Sequence, residues 1–328
     1  MKKVLITGAS GFLGFHLIQA ALESKMEVFA AIRKSSDIEH LKDLNIQYAL
    51  VDFGSVDSLR KDIEEKGYDY IIHAAGITKA KTAEIYNTVN ASYTRNLAMA
   101  AASANISLQK FVFVSSLAAL GPLESLDVQI EDDSQAKPIT QYGASKLLAE
   151  QYLKEIPGLP FIIFRPTAIY GPREKDLFIL FKSINKGWEP HIGRFDQQLS
   201  FVYVKDLAEV IIRSLKSAIS GKSYNVTDGK SYNRYALAEG VKLALSRKTF
   251  SFHLPVKAVH ALAMTMDLIY SKSEMTPALN KEKMPELTAI NWNCNIRNLV
   301  EDLKYDPQYT LEKGLNETVK WYKDNNWL

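Results

Sequence analysis

The run Val4-Leu5-Ile6-Thr7-Gly8-Ala9-Ser10-Gly11-Phe12-Leu13-Gly14 constrains the fold of this chain more than any other segment. Residues 4–6 form a short aliphatic stretch that reads as a buried strand, and Phe12, Leu13, Leu17 and Ile18 follow the glycines at helical spacing. A strand that breaks into a glycine turn and then a helix can cradle a pyrophosphate. The missing side chains let a ligand approach backbone N–H groups, and the helix N-terminus adds a favourable dipole. The glycines at 8, 11 and 14 are spaced Gly-x-x-Gly-x-x-Gly rather than in the commoner Gly-x-Gly-x-x-Gly, and strand, turn and helix together predict a dinucleotide site.

Beyond this start, strand-like and helix-like segments alternate, which predicts an α/β fold with a doubly wound parallel sheet covered on both faces. Strands are expected at 4–6, 28–32, 48–51, 70–73, 111–115 and 161–164, with helices at 13–23, 56–65, 82–103 and 141–155. After Gly171-Pro172 the rhythm is lost through Phe178, Phe181, Trp188 and Phe195. Strand and helix character returns at 201–204 and 207–215 and then at 223–226, and with these segments the chain is expected to rejoin the sheet. From about Ser231 the chain reads as helices broken at Pro255, Pro277 and Pro285. The expected division is a cofactor domain of residues 1–172 and 200–228 and a smaller substrate lobe of residues 173–199 and 229–328.

Composition excludes several classes. A net charge of +3 without a block of Lys and Arg gives no reason to expect nucleic acid as a partner. The single cysteine, Cys294, cannot close an internal disulfide and suits a reducing cytoplasm. The apolar opening is broken by Thr7 and the glycines before it reaches signal-peptide length. Lys257, His260 and Asp267 interrupt the best late candidate for a membrane span, so a cytoplasmic chain without an integral membrane segment is expected. None of the histidines at 16, 40, 73, 191, 253 and 260 stands at metal-ligand spacing, and no metal is expected. Asp206 reads as the N-cap of the helix that follows it.

Tyr142-Gly143-Ala144-Ser145-Lys146 places a phenol and an ammonium four residues apart on one face of the helix after the fifth strand. A phenol is a poor base at neutrality, but a neighbouring cation favours the phenolate and would bring it into working range. Such a tyrosine can exchange a proton with an oxygen while hydride moves to or from a nicotinamide. The fifth strand ends in Ser115-Ser116, at the carboxyl edge where ligands of open α/β sheets collect.

The motifs Thr7-Gly8-Ala9-Ser10-Gly11-Phe12-Leu13-Gly14, His73-Ala74-Ala75-Gly76, Ser115-Ser116 and Tyr142-x-x-x-Lys146 resemble those of the extended short-chain dehydrogenase/reductase family. Agreement continues at Arg165-Pro166, at Tyr170-Gly171-Pro172-Arg173, through 201–206, and at Leu303-Lys304-Tyr305-x-Pro307 with 311–315, so the resemblance spans nearly the whole chain. It implies a Rossmann-like cofactor domain, a small C-terminal substrate lobe and NAD(P)-dependent chemistry at a carbon bearing oxygen. Position by position, Tyr142 resembles the general acid/base, and Lys146 the residue that lowers its pKa and holds the nicotinamide ribose. Ser116 resembles the hydroxyl that orients the substrate oxygen, with Ser115 nearby, and Asn90 the helix asparagine that supports the site. Tyr93 replaces a smaller residue usual in the family, so the packing there must be rearranged. Gly8, Ser10, Gly11, Phe12, Leu13, Gly14, Ala74, Ala75 and Ser115 fall at cofactor-binding positions of the motifs, and Asp52 resembles the adenine-edge contact. The family commonly dimerises through the helices expected at 82–103 and 141–155, so the resemblance allows a homodimer, with a monomer the alternative.

Past the second strand, where an NAD-binding protein would place an acid for the ribose hydroxyls, the chain carries Arg33 and Lys34. Two cations suit a 2′-phosphate, so NADP(H) is expected, with NAD(H) the alternative because Asp37 is close enough to compete. Family epimerases resemble one another in an asparagine that meets the substrate diphosphate and an arginine before the 201–206 motif. Here those positions are Ala168 and Leu199, although Arg173, Lys175 and Arg194 could supply charge. Arg165-Pro166-Thr167 and Arg33 look more like the branch of dihydroflavonol reductases, cinnamoyl-CoA reductases and 3β-hydroxysteroid dehydrogenases. The expectation is a reductase or dehydrogenase of a small, largely apolar carbonyl or secondary alcohol, with Ser116, Thr167, Arg173, Phe178 and Trp188 as candidate substrate contacts. Alternatives are a nucleotide-sugar 4-epimerase or dehydratase with tightly bound NAD, and a non-catalytic NADP-binding regulator.

Overall fold

The computed structural model describes residues 1–270, 273, 277 and 279–328. Its first half alternates β1 (Lys3–Thr7), α1 (Phe12–Glu23), β2 (Glu27–Ile32), β3 (Gln47–Leu50), α2 (Val56–Lys66), β4 (Tyr70–His73), α3 (Ala83–Tyr86), α4 (Tyr93–Ser103), β5 (Lys110–Val114), α5 (Gln141–Lys154) and β6 (Phe161–Pro166). The second half runs β7 (Ala168–Tyr170), α6 (Phe178–Asn185), β8 (Trp188–Ile192), β9 (Gln198–Leu199), β10 (Phe201–Tyr203), α7 (Val204–Ser214), β11 (Lys222–Val226), β12 (Tyr232–Asn233), α8 (Ala236–Leu245), β13 (Phe250–Leu254) and α9 (Val256–Ile269). It closes with α10 (Met284–Thr288), α11 (Arg297–Leu303) and α12 (Leu311–Asp324).

Seven strands form one parallel sheet in the order β11-β6-β5-β4-β1-β2-β3, the doubly wound Rossmann-like arrangement. Period-two alternation divides each strand between two cores. Val4, Ile6, Val28, Ile72 and Val112 face α1 and α7 through Leu17, Ile18, Leu207 and Ile211. Leu5, Phe29, Ile71, Phe111 and Phe113 face α2, α4 and α5 through Leu59, Ile63, Leu97 and Leu153. Because both faces are covered, the strands are apolar almost throughout, which is why they read so clearly in the sequence. The strand order reverses at β1, which pairs with β2 on one side and β4 on the other, and this switch point opens a crevice beyond the carboxyl ends.

Several segments differ from the sequence expectation. The helix expected over 82–103 is divided by a π-helical turn, Asn87–Ser92, between α3 and α4. β10 does not join the main sheet; it pairs in parallel with β7. The stretch expected to be helical beyond Ser231 contains β13, whose partner β8 lies far away in sequence. Pro255 and Pro285 start helices rather than end them: Pro255 is the N-cap of α9 and Pro285 lies in the first turn of α10. Asp206 is not an N-cap, because α7 already begins at Val204. Its buried carboxylate instead accepts the backbone N–H groups of Gln308 and Tyr309 at 3.1 and 3.0 Å, which ties the C-terminal segment to α7. Residues 297–305, expected in the smaller lobe, place Leu299, Leu303 and Tyr305 in the core beneath the sheet.

The remaining core is separate. α6, α8, α12 and the β7–β10 pair enclose Tyr170, Phe181, Tyr203, Val241, Leu315 and Tyr322. Among the described residues, no helix is long and apolar enough to cross a membrane.

Candidate active site

The crevice is built on close backbone contacts. Gly8 has φ +70°, and a Cβ there would sit 2.7 Å from the Ala74 carbonyl oxygen. A Cβ on Gly14 would come within 2.1 Å of the Gly8 oxygen, so α1 can leave β1 along this path only with glycine at that position. Gly11 is the N-cap of α1, with no side chain to cap it and no acid in the first turn, so the first N–H groups of Phe12 and Leu13 keep their positive field. Ser10 lies half-buried on the same turn. A bare helix start beside a turn that admits only glycine fits a pyrophosphate.

Behind this turn runs a buried chain of hydrogen bonds. The Ala75 N–H donates to Thr7 Oγ1 at 3.1 Å, and the Thr7 hydroxyl donates its own proton to His73 Nδ1 at 2.8 Å. His73 Nε2 then donates to Thr94 Oγ1 at 2.9 Å, and Thr94 donates to the Asn90 carbonyl at 2.7 Å. Every donor finds an acceptor only if His73 is neutral and protonated on Nε2. Burial, reinforced by the Lys146 charge, lowers its pKa to about 3. The chain ties the loop after β4 to the π-turn.

That turn aims Asn90. Its Oδ1 accepts the Ile77 N–H at 2.8 Å, while Nδ2 donates to the Ile77 carbonyl and to Ser145 Oγ, both at 3.0 Å. Ser145 donates in turn to the Tyr142 carbonyl at 2.7 Å. Asn90 is thus fully engaged in holding the β4 loop against α5. Tyr93, one turn on, is accommodated by stacking on Phe53 at 5.9 Å.

α5 starts where Thr140 Oγ1 accepts the Gly143 N–H at 3.1 Å, and it carries Tyr142 and Lys146 toward the end of β5. The Ser116 hydroxyl hydrogen-bonds the Tyr142 phenol. Lys146 Nζ donates to the Val114 carbonyl at 2.9 Å and lies 4.8 Å from the centre of the Phe113 ring. Gly76 leaves room for it, since a Cβ there would stand 3.2 Å from Nζ and 3.0 Å from Asn90 Oδ1. Burial lowers the ammonium from 10.5 to about 8, partly opposed by Glu150. Tyr142 departs from the sequence expectation. Burial holds its phenol above the ordinary 10, Ser116 opposes the rise, and Glu286 and Tyr86 add to it; the lowering comes from the Ser116 hydroxyl and not, as expected, from Lys146. At neutral pH the phenol is a proton donor.

Ser115 turns away from the crevice. Its hydroxyl donates to Glu150 Oε1 at 2.6 Å, and that carboxylate is paired with Arg165 Nη2 at 2.6 Å, with the two side chains 0% and 3% exposed. Arg165 also donates to the Asp132 carbonyl at 2.7 Å. The Arg165-Pro166 motif therefore locks α5, β5 and β6 together from behind.

Past β2, Arg33 and Lys34 are exposed on a turn closed by the Arg33 N–H donating to Ser36 Oγ at 2.9 Å. Asp37, the competitor for a ribose, accepts the Glu39 N–H at 3.2 Å. Asp52 is exposed after β3 and accepts the Gly54 N–H at 2.9 Å.

The candidate substrate contacts are scattered. Thr167 binds the Val226 carbonyl through both its N–H, at 3.1 Å, and its hydroxyl, at 3.3 Å. Arg173, at φ +76°, lays its guanidinium over Phe15 at 4.1 Å and Trp321 at 5.3 Å. Phe178 packs on Tyr322 and Trp327 at 4.7 and 5.1 Å, within the core of the lobe. Trp188 is exposed beside Phe250 and Phe252. The structure thus engages Phe178 in lobe packing and Arg173 in ring contacts, and neither joins the group around Tyr142.

Sequence reasoning missed one group entirely. Glu282 accepts the N–H of Gln141 and, at 3.2 Å, that of Tyr142, and Glu286 accepts the Thr140 hydroxyl at 2.9 Å. A carboxylate about 140 residues away in sequence thus caps the helix carrying Tyr142. No local signal could reveal this, because the two segments meet only in three dimensions.

Residues 4–227 match the model of the NAD dependent epimerase/dehydratase family. The chain is 26% identical over 327 residues to the ceramide reductase of Caulobacter vibrioides, covering 99% of this chain and 96% of the relative. It is 25% identical over 349 residues to the 3-beta-hydroxysteroid dehydrogenase of Mycolicibacterium neoaurum, covering 99% and 92%. Its fold is shared with the UDP-glucose 4-epimerase of Thermotoga maritima solved with UDP-glucose, at a TM-score of 0.79, 18% identity and 99% coverage of both chains.

Replacing Glu150 by alanine strands the buried Arg165 charge and the Ser115 hydroxyl. It is expected to cost about 3–5 kcal/mol of stability in denaturant unfolding; a loss under about 1 kcal/mol would show that the pair does not anchor the sheet.

Proposed function

The chain belongs to the NAD-dependent epimerase/dehydratase family, and from that premise we propose an NADP(H)-dependent oxidoreductase that moves hydride between the nicotinamide and a carbonyl or secondary alcohol of a small, largely apolar substrate. The family and its enzyme relatives make it an NAD(P)-dependent enzyme of the extended short-chain dehydrogenase/reductase type. The observation that carries the reading is the meeting of Ser116, Tyr142 and Lys146 at the end of β5, beside the Gly8–Gly14 turn.

Gly8, Ser10, Gly11, Phe12, Leu13 and Gly14 would hold the pyrophosphate, Ala74 and Ala75 would line the dinucleotide, and Asp52 would meet the adenine. Arg33 and Lys34, exposed on the turn after β2, would meet a 2′-phosphate, which favours NADP(H) over NAD(H). When bound, the cofactor supplies or accepts hydride at its nicotinamide carbon. In the reducing direction Ser116 holds the substrate oxygen and Tyr142 gives it the phenolic proton. The buried Lys146 charge steadies the phenolate left behind and holds the ribose. Asn90 keeps α5 in register with the β4 loop.

Several features favour an apolar substrate. Ala168 and Leu199 offer no side-chain hydrogen bond to a diphosphate, and Arg173 is spread over aromatic rings. Two relatives bear the names of enzymes of lipid-like substrates, ceramide and a hydroxysteroid. Residues 1–172 and 200–228 would form the cofactor domain, with most of the rest serving the substrate. The enzyme would work in the cytoplasm as a homodimer through α4 and α5.

Three outcomes test this reading. Tyr142→Phe should lower NADPH-dependent reduction by at least about a hundredfold while calorimetry finds cofactor affinity unchanged, and undiminished turnover would remove Tyr142 from its role. Because reduction needs both the Tyr142 proton and the Lys146 charge, the rate should fall as pH rises through about 8, the point at which Lys146 loses its proton. A profile flat to about pH 10 would contradict that assignment. Arg33→Asp should weaken NADPH binding by about tenfold or more with a much smaller effect on NADH, whereas equal losses would leave no ground for a 2′-phosphate preference.

A further inference from the structure

One end of the smaller lobe combines exposed rings with unbalanced charge. Trp188 opens β8 and Phe250 opens the adjacent strand β13, and the two are 54% and 65% exposed. Their rings meet edge to face with centroids 6.1 Å apart, and Phe252 packs against both. The C-terminal ends of α6 and α8 flank this pair. Ser183 donates to the Trp188 carbonyl at 2.9 Å, and Arg247 Nε donates to Asn185 Oδ1 at 3.2 Å. On α8 itself Leu243, 71% exposed, borders an open groove lined also by Lys242, Ser246, Arg247, Lys248 and Thr249.

The charge here is one-sided. Residues 178–188 and 242–252 carry Lys182, Lys186, Lys242, Arg247 and Lys248 and no carboxylate, whereas the rest of the chain nets −2 against a total of +3. The nearest acid along β8, Glu189, is buried and held by His191, Lys242 and Thr249, so it offsets Lys242 and leaves the charge of Lys182, Lys186, Arg247 and Lys248 to the surface. The packing of the lobe does not need these rings exposed, because its own core closes around Tyr170, Phe181 and Tyr322.

We propose that this tip is a docking surface for an anionic lipid bilayer, with Trp188, Phe250 and Leu243 entering the interface and Lys182, Lys186, Arg247 and Lys248 meeting the headgroups. An indole and a phenyl ring surrounded by long cationic side chains match the layering of a bilayer edge, where rings sit at headgroup depth and charges reach the phosphates. A nucleic acid would ask for cations spread along a groove rather than around a hydrophobic summit. The surface stands whether or not the carbonyl chemistry does, and it would bring the enzyme to substrates dissolved in a membrane.

The test uses the full-length protein and vesicles without substrate or cofactor, so a failure here is separate from a failure of the reductase reading. Sedimentation with phosphatidylcholine vesicles containing roughly a third phosphatidylglycerol should capture the protein, with binding about tenfold or more weaker to pure phosphatidylcholine and in high salt. Among the described residues Trp188 is the exposed tryptophan, so brominated lipids should quench its fluorescence, and Trp188→Phe should remove that quenching. Lys186→Glu with Lys248→Glu should lower vesicle affinity by about tenfold or more, with an unchanged melting temperature showing that the fold is intact. Vesicle binding indifferent to charge reversal, or no binding to the anionic vesicles, would overturn the proposal. So would a stable dimer in light scattering that Trp188→Ala with Phe250→Ala dissolves, since a second copy would then cover the patch.

Discussion

Everything near the crevice depends on how tightly three backbone segments meet at the ends of β1 and β4. Gly14 rests on the Gly8 carbonyl, and Gly8 rests on the peptide joining Ala74 and Ala75. This contact fixes where α1 begins and which way its free N–H groups point. It also sets the height of the β4 loop, whose Ile77 Asn90 then clamps. Through Asn90 and Ser145 the same constraint reaches α5, so the turn that fits a pyrophosphate and the helix that presents the phenol share one rigid frame.

Electrostatics gives this frame a direction. A lysine in a dry site beside a carbonyl and a ring loses much of its affinity for a proton, and a phenol in the same site keeps its own. In the protein alone Tyr142 rests as a protonated acid and Lys146 as a cation, the state that the proposed reduction would require. Oxidation would first need the phenol to give up its proton.

Much of this was legible in the sequence where the causes are local. The strands of the main sheet could be read because burial on both faces demands continuous apolar runs, and Tyr142 and Lys146 because four residues make one helical turn. The π-turn at 87–92 could not be read, since its residues suit an ordinary helix. β13 was hidden because its partner is β8, some sixty residues earlier, and Asp206 looked like a cap because its true partners lie at 308 and 309. The direction of the Tyr142 shift was missed for a related reason: spacing tells which charge is near but not how dry the site is.

The carboxylate of Glu282 at the start of α5 bears on how the molecule is made and how it can be taken apart. Until the ribosome has delivered the chain beyond residue 282, the helix bearing the phenol lacks an acceptor for two of its first amides. The nascent N-terminal half therefore waits for distant sequence before the helix that carries Tyr142 is finished. Exchange of the last fifty residues between relatives would exchange part of that helix's foundation as well, so the two lobes are less modular than their separate cores suggest.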